Sequence, residues 1–297
     1  MTIDLPAATD FMATHARVLD RRRFELRDGR SDPSAVLAAL DGYRNPDGGY
    51  GWGLEPDLRS PESQPGPALH AFEVFEDVAP ATAPQAAALC DWLSSVTLPD
   101  GGLPMALPLR MTAGTAPWWQ AADPSISSLQ ITAVAAAAAQ RVAAHDPAVA
   151  AHPWLERATR YCLNAIEAMD EAPFAYVLAF SVHFLDALHD SRPEAAGLLR
   201  RLGAFIPPDG QIRVRGGTED EALHPLDVAP YPDRPARDLF TPEAISADLD
   251  RLAALQQEDG GWIVDYLKIS PAGALDWRGH ATVRAIDILR RNGGSPG

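Results

Sequence analysis

Cysteine is almost missing from this chain of 297 residues, which carries only Cys90 and Cys162. Two thiols cannot build a disulfide framework or a thiolate zinc site, and their scarcity fits a reducing compartment. Lysine is scarcer still, with Lys268 alone. Basic residues number 25 against 40 acidic ones, a formal net charge of −15. That balance disfavours nucleic acid and anionic membranes as partners, because both reward clustered cations. A long apolar run is also lacking. The best stretch, residues 174–188, contains Ser181, His183 and Asp186 and is too short to span a bilayer. An integral membrane protein is therefore not expected. The opening MTIDLPAATD has no basic segment followed by an apolar one, so the expectation is no signal peptide and a cytoplasmic location. Period-2 runs long enough for a sheet are absent too, and only residues 211–214 suggest a short strand. No Gly-x-Ser-x-Gly, P-loop or HExxH motif occurs.

What remains is 46% apolar and 22% charged residues, the balance of an ordinary globular protein. A single domain over residues 1–297 is expected. Its strongest internal signal is self-similarity. Leu252, Gln256, Asp259, Gly260, Gly261 and Trp262 stand in the same frame as Leu40, Arg44, Asp47, Gly48, Gly49 and Tyr50. Leu93, Thr97, Asp100, Gly101, Gly102 and Leu103 repeat it, and Leu202, Ile206, Asp209 and Gly210 repeat it with Gln211 in place of the second glycine. Each copy closes an amphipathic helical pattern with Asp-Gly, because glycine accepts the left-handed conformation that ends a helix. A second helix, buried on more sides, follows each stop. The periodicity predicts helices over 8–28, 33–44, 66–78, 84–96, 125–143, 153–170, 174–190, 193–205, 242–256 and 279–291. The proline-dense stretch 207–240 predicts an irregular segment, since proline at that density prevents a continuous helix.

Leu252-x3-Gln256-x3-Gly260-x-Trp262 resembles the QW motif of terpenoid cyclases and of the related prenyltransferase β-subunits. Residues 45–59, with Ser63-Gln64-Pro65, Pro117-Trp118-Trp119-Gln120, His152-Pro153-Trp154-Leu155 and Leu275-Asp276-Trp277-Arg278-Gly279, are similar to bacterial single-domain proteins carrying the prenyltransferase/squalene oxidase repeat. The resemblance implies an all-α, α/α toroid with a central apolar cavity, and the helix count predicts a partial ring of five to six helical hairpins with 211–240 covering the mouth or filling the gap. It is specific for fold and poor for function, since one fold hosts many activities. The departures are informative. The DxDD acid motif of class II cyclases is reduced to Asp123 in Ala122-Asp123-Pro124, no DDxxD motif is present, and Cys90 and Cys162 fall on presumed outer helices. Nothing in the sequence implies a metal or an organic cofactor.

Glu55, Asp57, Arg59 and Glu62 form the densest polar cluster, between the first Asp-Gly turn and the next helix. An acid there serves catalysis if burial raises its pKa; otherwise Asp57 and Arg59 are a structural pair. Asp123 occupies the cyclase-like acid position or is a plain helix cap. Trp52, Trp118, Trp119, Tyr231 and Trp277 are candidate ring contacts for a substrate, or packing between loops. Asp276 and Arg278 flank Trp277, and Asp227 lies in the proline-rich segment with Tyr231. His70, His183 and His280 fall on inner helices without ligand spacing. The expectation is an enzyme of terpenoid cyclase-like, isomerase or lyase type. It would act on an isoprenoid or other apolar molecule, with Asp57 and Asp123 as acids. The alternatives are a non-catalytic toroid binding a lipid or partner, and a glycan-active (α/α) enzyme.

Overall fold

The structure is a computed structural model that describes residues 2–264 and 268–296. It is all-α apart from two small strand pairs. The helices are α1 (Leu5–Thr14), α2 (Val18–Arg27), α3 (Pro33–Asp41), α4 (Pro65–Asp77), α5 (Pro84–Val96), α6 (Pro117–Gln120) and α7 (Leu129–Ala143), followed by α8 (Pro147–Ala150), α9 (Pro153–Glu167), α10 (Ala175–Leu188), α11 (Pro193–Gly203), α12 (Pro225–Val228), α13 (Pro242–Ala254) and α14 (Pro271–Arg291). Proline stands in the first turn of most of them, where its missing N–H costs nothing. None of the described helices is long and apolar enough to cross a membrane.

The repeated motif is a repeated structure. Asp47, Asp100, Asp209 and Asp259 each accept the backbone N–H two residues on, at 3.0, 3.1, 3.0 and 3.1 Å. The glycine between, at 48, 101, 210 and 260, has φ of 93°, 97°, 75° and 87°, which side chains resist. The next residue but one, Tyr50, Leu103, Ile212 or Trp262, enters the core. Two of these are tied to the following helix: Leu103 N–H donates to Thr132 Oγ1 of α7 and Trp262 N–H to Thr282 Oγ1 of α14. The second glycine is required by close approach, since a Cβ at Gly102 would meet Ser127 at 2.5 Å. Gln211 replaces it where the position is exposed.

Neighbour contacts run from α2 to α3, α4, α7, α10, α12, α13 and α14, and from α14 back to α2. Helices α5, α9 and α11 pack against α4, α7 and α10 in turn. The fully buried run Ala135 to Ala139 lets α7 sit tightly among α4, α9 and α10. Side chains such as Trp154, stacked on Phe72 with ring centroids 6.2 Å apart, each contribute about 1.5–3 kcal/mol by burial. A smaller cluster from α1, α13 and α14 holds Phe11, Trp262 and Ile286. β1 (Thr2–Ile3) pairs in parallel with β2 (Ser295–Pro296), so the two ends of the chain meet.

Several boundaries differ from the sequence pattern. The predicted helix over 8–28 is two helices, because Arg17 is extended (ψ 150°) and spends its guanidinium on the carbonyls of Gly53 and Leu54. The last helix begins at Pro271, eight residues before the expected 279, with Ser270 as its cap. The helix expected from 125 starts at Leu129, with the Ser128 hydroxyl accepting from Ile131 N–H. Segment 207–240 holds a hairpin, Ile212–Arg213 with Ala222–Leu223, then α12 and a 3-10 turn at Pro235–Leu239. Replacing Ser128 by alanine should cost about 1 kcal/mol in urea unfolding. Asp123→Ala should stay within about 0.5 kcal/mol, and the reverse order would place the cap at Asp123.

Candidate functional site

Residues 51–60 form a tight loop wedged between α2, α14 and the backbone at Thr115 and Ala116. Trp52 N–H donates to Ser60 O, Leu54 N–H to Gly51 O, and Ala116 N–H to Asp57 O at 2.8 Å. Arg17 clamps the loop from α2 while pairing with Asp20 at 2.8 Å. Helix α14 comes so close that a Cβ on Gly273 would lie 2.8 Å from Pro56 O. The loop thereby drives two carboxylates inward: Glu55 is 7% exposed and Asp57 5%.

Behind them runs an array of ionisable side chains. Glu55 Oε2 lies 3.2 Å from His70 Nε2, and Glu73 Oε2 lies 3.1 Å from His70 Nδ1. His70 and Glu73 share a face of α4, one turn apart. His280 of α14 brings its ring centroid to 5.0 Å from that of His70, and Trp277 completes an edge-to-face group at 5.8 and 5.6 Å. Arg23 of α2 continues the array, 2.6 Å from Asp77 and 3.7 Å from Glu73. Arg27 links Asp77 to Asp287.

The electrostatics follow from burial and pairing. Burial, reinforced by the Glu55 charge, pushes the Asp57 carboxyl up to about 7 against the Trp277 indole and His70. Burial works against a charged His70, yet its hydrogen bonds to Glu55 and Glu73 outweigh that and raise it to about 9. Burial also opposes a charged Glu73, but His280, His70 and Arg23 hold it well below the usual carboxylate range. His280, with weaker compensation, is pressed down by burial to about 3.

The array opens on a cavity of about 1000 Å³, whose wall includes Arg23, Glu73, Asp77 and His280. The wall also carries Arg141 paired with Glu76 at 2.8 Å, and Arg234 paired with Asp186 and Asp190 at 3.1 Å each. Arg291 lies over the Tyr231 ring, 4.6 Å from its centroid. His183 also faces this cavity. Its Nε2 lies 2.9 Å from Asp227 O, and burial lowers its pKa to about 4. The lining thus mixes these charges with apolar side chains such as Leu69, Val134, Phe180 and Ile288, where the resemblance implied an apolar one. The physical reason is that α2, α4 and α14 each turn a charged face inward and neutralise it across the helix contacts.

No family model matches this chain, and no curated protein matches it.

The expected site residues fall into separate groups. Glu55, Asp57 and Trp277 belong to the buried array; Trp277 is on α14 rather than a loop. Arg59 pairs with Asp276 of α14, not with Asp57. Glu62 bonds Ser60 and faces the exposed Arg110. Trp52 is 58% exposed and donates its indole N–H to Asn45. Trp118 is exposed and Trp119 buried, both on the short α6. Arg278 holds Asp259 of the last repeat turn and covers the Phe11 ring. Asp227 accepts the His224 N–H within α12, and Tyr231 alone of the proline-rich candidates lines the cavity. Asp123 is exposed in a turn, accepting from the Ser125 N–H and hydroxyl, which lower its pKa. Hydrogen bonds to its ionised form oppose a role as a strong acid. Arg23, Glu73 and Asp77 were missed. Their signal was present as Asp20, Arg23 and Arg27 on α2 facing His70, Glu73 and Asp77 on α4, each set spaced by one and two turns.

Proposed function

We propose that the chain is an α/α toroid enzyme acting on a polar, hydroxyl-rich small molecule of the glycan or polyol class, bound in the cavity among its ion pairs. The return of helix contacts from α14 to α2 and the four equivalent Asp-Gly turns support the toroid. The lining of the cavity carries the substrate class. Arg141, Arg234 and Arg291, each set against a carboxylate or a ring, offer fixed donors to hydroxyl groups, and Glu76, Asp186 and Asp190 offer acceptors. An isoprenoid chain would strip water from those charges and return no hydrogen bonds, a loss of several kcal/mol per ion. A terpenoid cyclase-like acid reaction also asks for its acid on the cavity wall. Asp57 is not among the lining residues, and Asp123 is in an exposed turn. Catalysis, rather than binding alone, is supported by the buried ionisable array that reaches the wall at Glu73 and His280, since perturbed groups concentrate at reactive sites.

Saturation-transfer NMR with two panels tests this reading. One holds mono- and oligosaccharides and polyols; the other holds farnesyl, geranylgeranyl and squalene-type compounds. A member of the first panel should bind, and Arg141→Ala should weaken it about tenfold or more, as for a lost hydrogen bond to a charged group. Product analysis with the bound compound then reports turnover. Binding confined to the isoprenoid panel would overturn the substrate class.

A further inference from the structure

We propose that His70, Glu73 and His280 form a binding site for one divalent transition-metal ion. The site does not depend on the substrate class proposed above. One donor atom from each of the three side chains lies within 4.8 Å of the others. Two of the spacings are specific: Glu73 Oε2 is 3.1 Å from His70 Nδ1 and 3.9 Å from His280 Nδ1. A tetrahedral ion bound at about 2.0–2.1 Å needs donors about 3.3 Å apart, between those two values. The three donors together span no more than 4.8 Å, so side-chain movements of up to about 1.5 Å bring them onto one ion.

Two further observations point to an ion rather than to a packed polar cluster. His280 Nδ1 is buried without a hydrogen-bond partner, on a side chain only 11% exposed. Such an atom is costly unless something occupies its lone pair. His70 is held by its other nitrogen to Glu55 at 3.2 Å, the carboxylate–histidine arrangement that fixes a metal-binding imidazole. On binding, the ion displaces the proton that His70 Nδ1 shares with Glu73, and that proton leaves to solvent. Two imidazoles and one carboxylate select zinc, cobalt, nickel or iron over magnesium and calcium. Glu73 and His280 also line the cavity, so the remaining coordination positions face water or a bound substrate. This is the open type of site.

The test uses the full-length chain, stripped with a chelator and titrated with Co²⁺ and Zn²⁺ by calorimetry and visible absorption. One equivalent should bind, with d–d bands of a nitrogen–oxygen Co²⁺ site and an upward shift in Tm. Glu73→Gln, which preserves shape, and His280→Ala should each weaken binding at least tenfold. His183→Ala should leave it unchanged, because that ring lies outside the triad. If both triad variants fail to fold, X-ray absorption on the zinc-loaded wild type decides, with two imidazoles in the coordination shell expected. Lack of a stoichiometric site in the wild type, binding unaltered by Glu73→Gln and His280→Ala in folded protein, or a shell without imidazole would overturn the site.

Discussion

Arg23→Ala should lower the unfolding free energy by about 3–5 kcal/mol, the cost of removing one partner from a buried ion pair. Arg23 is 5% exposed and lies 2.6 Å from Asp77 and 3.7 Å from Glu73. Its removal leaves Asp77 with Arg27 alone and takes a counter-charge from Glu73, both inside the wall of the cavity. Burial opposes its charge, yet Asp77, Glu73 and Asp20 keep its pKa raised. For a chain of this length the loss should appear as a fall in Tm of roughly 10 °C. A double-mutant cycle with Asp77→Ala isolates the pair, and a coupling of about 1–3 kcal/mol is expected. A loss below about 1 kcal/mol with no coupling would mean that solvent from the cavity already screens the array. Exposed pairs such as Arg192–Glu156 should contribute little by comparison.

What was readable in the sequence was local chemistry. Asp-Gly stops, proline at first turns and Thr241 as the cap of α13 all act within a few residues, so their spacing alone places them. The errors have long-range causes. Arg17 breaks the first helix because Gly53 and Leu54, far along the chain, offer it carbonyls. Helix α14 runs through Gly273 and Gly279, poor helix formers, because Pro56 and Asp20 need the close approach that glycine permits. The site shows the same division. Glu55 and Asp57 stood out as a dense acidic cluster in a loop. Glu73, Arg23 and Asp77 did not, because a charge on a helix ordinarily reads as a solvated face. Only the facing of α2 against α4, and of α14 against both, turns those charges inward. His70 and His280 were visible on inner helices that could converge, but their separation in sequence gave no ligand spacing and did not show which rings meet.

Asp57 supplies the second large effect, and its sign is unusual for a carboxylate. Most acidic groups gain stability on ionising in the folded state. Asp57 is raised from 3.8 to about 7, first by burial and then by the Glu55 charge. Below pH 4 it is protonated whether folded or unfolded, and it contributes no pH dependence. Between pH 4 and 7 the folded chain holds a proton that the unfolded chain has lost, so its contribution to stability falls as pH rises. Above pH 7 the full penalty is present and stays constant. Each tenfold in proton affinity is worth about 1.4 kcal/mol, which sets a ceiling of about 4 kcal/mol on the penalty. Asp57→Asn removes the ionisation while keeping an acceptor toward the Trp277 indole. The variant and the wild type should therefore differ little at pH 4. The variant should be the more stable at pH 8, by up to about 4 kcal/mol, in paired urea titrations across that range. The groups facing this carboxyl are Glu55, His70 and Trp277, and all three remain in the variant, so the difference curve reports Asp57 first. A difference that is flat with pH would show that Asp57 is ionised as readily folded as unfolded. A wild type that gained on the variant as pH rose would show that pairing with His70 prevails over burial. Either outcome would make Asp57 a charged carboxylate in this site, alongside Glu55 and Glu73 at the histidine pair.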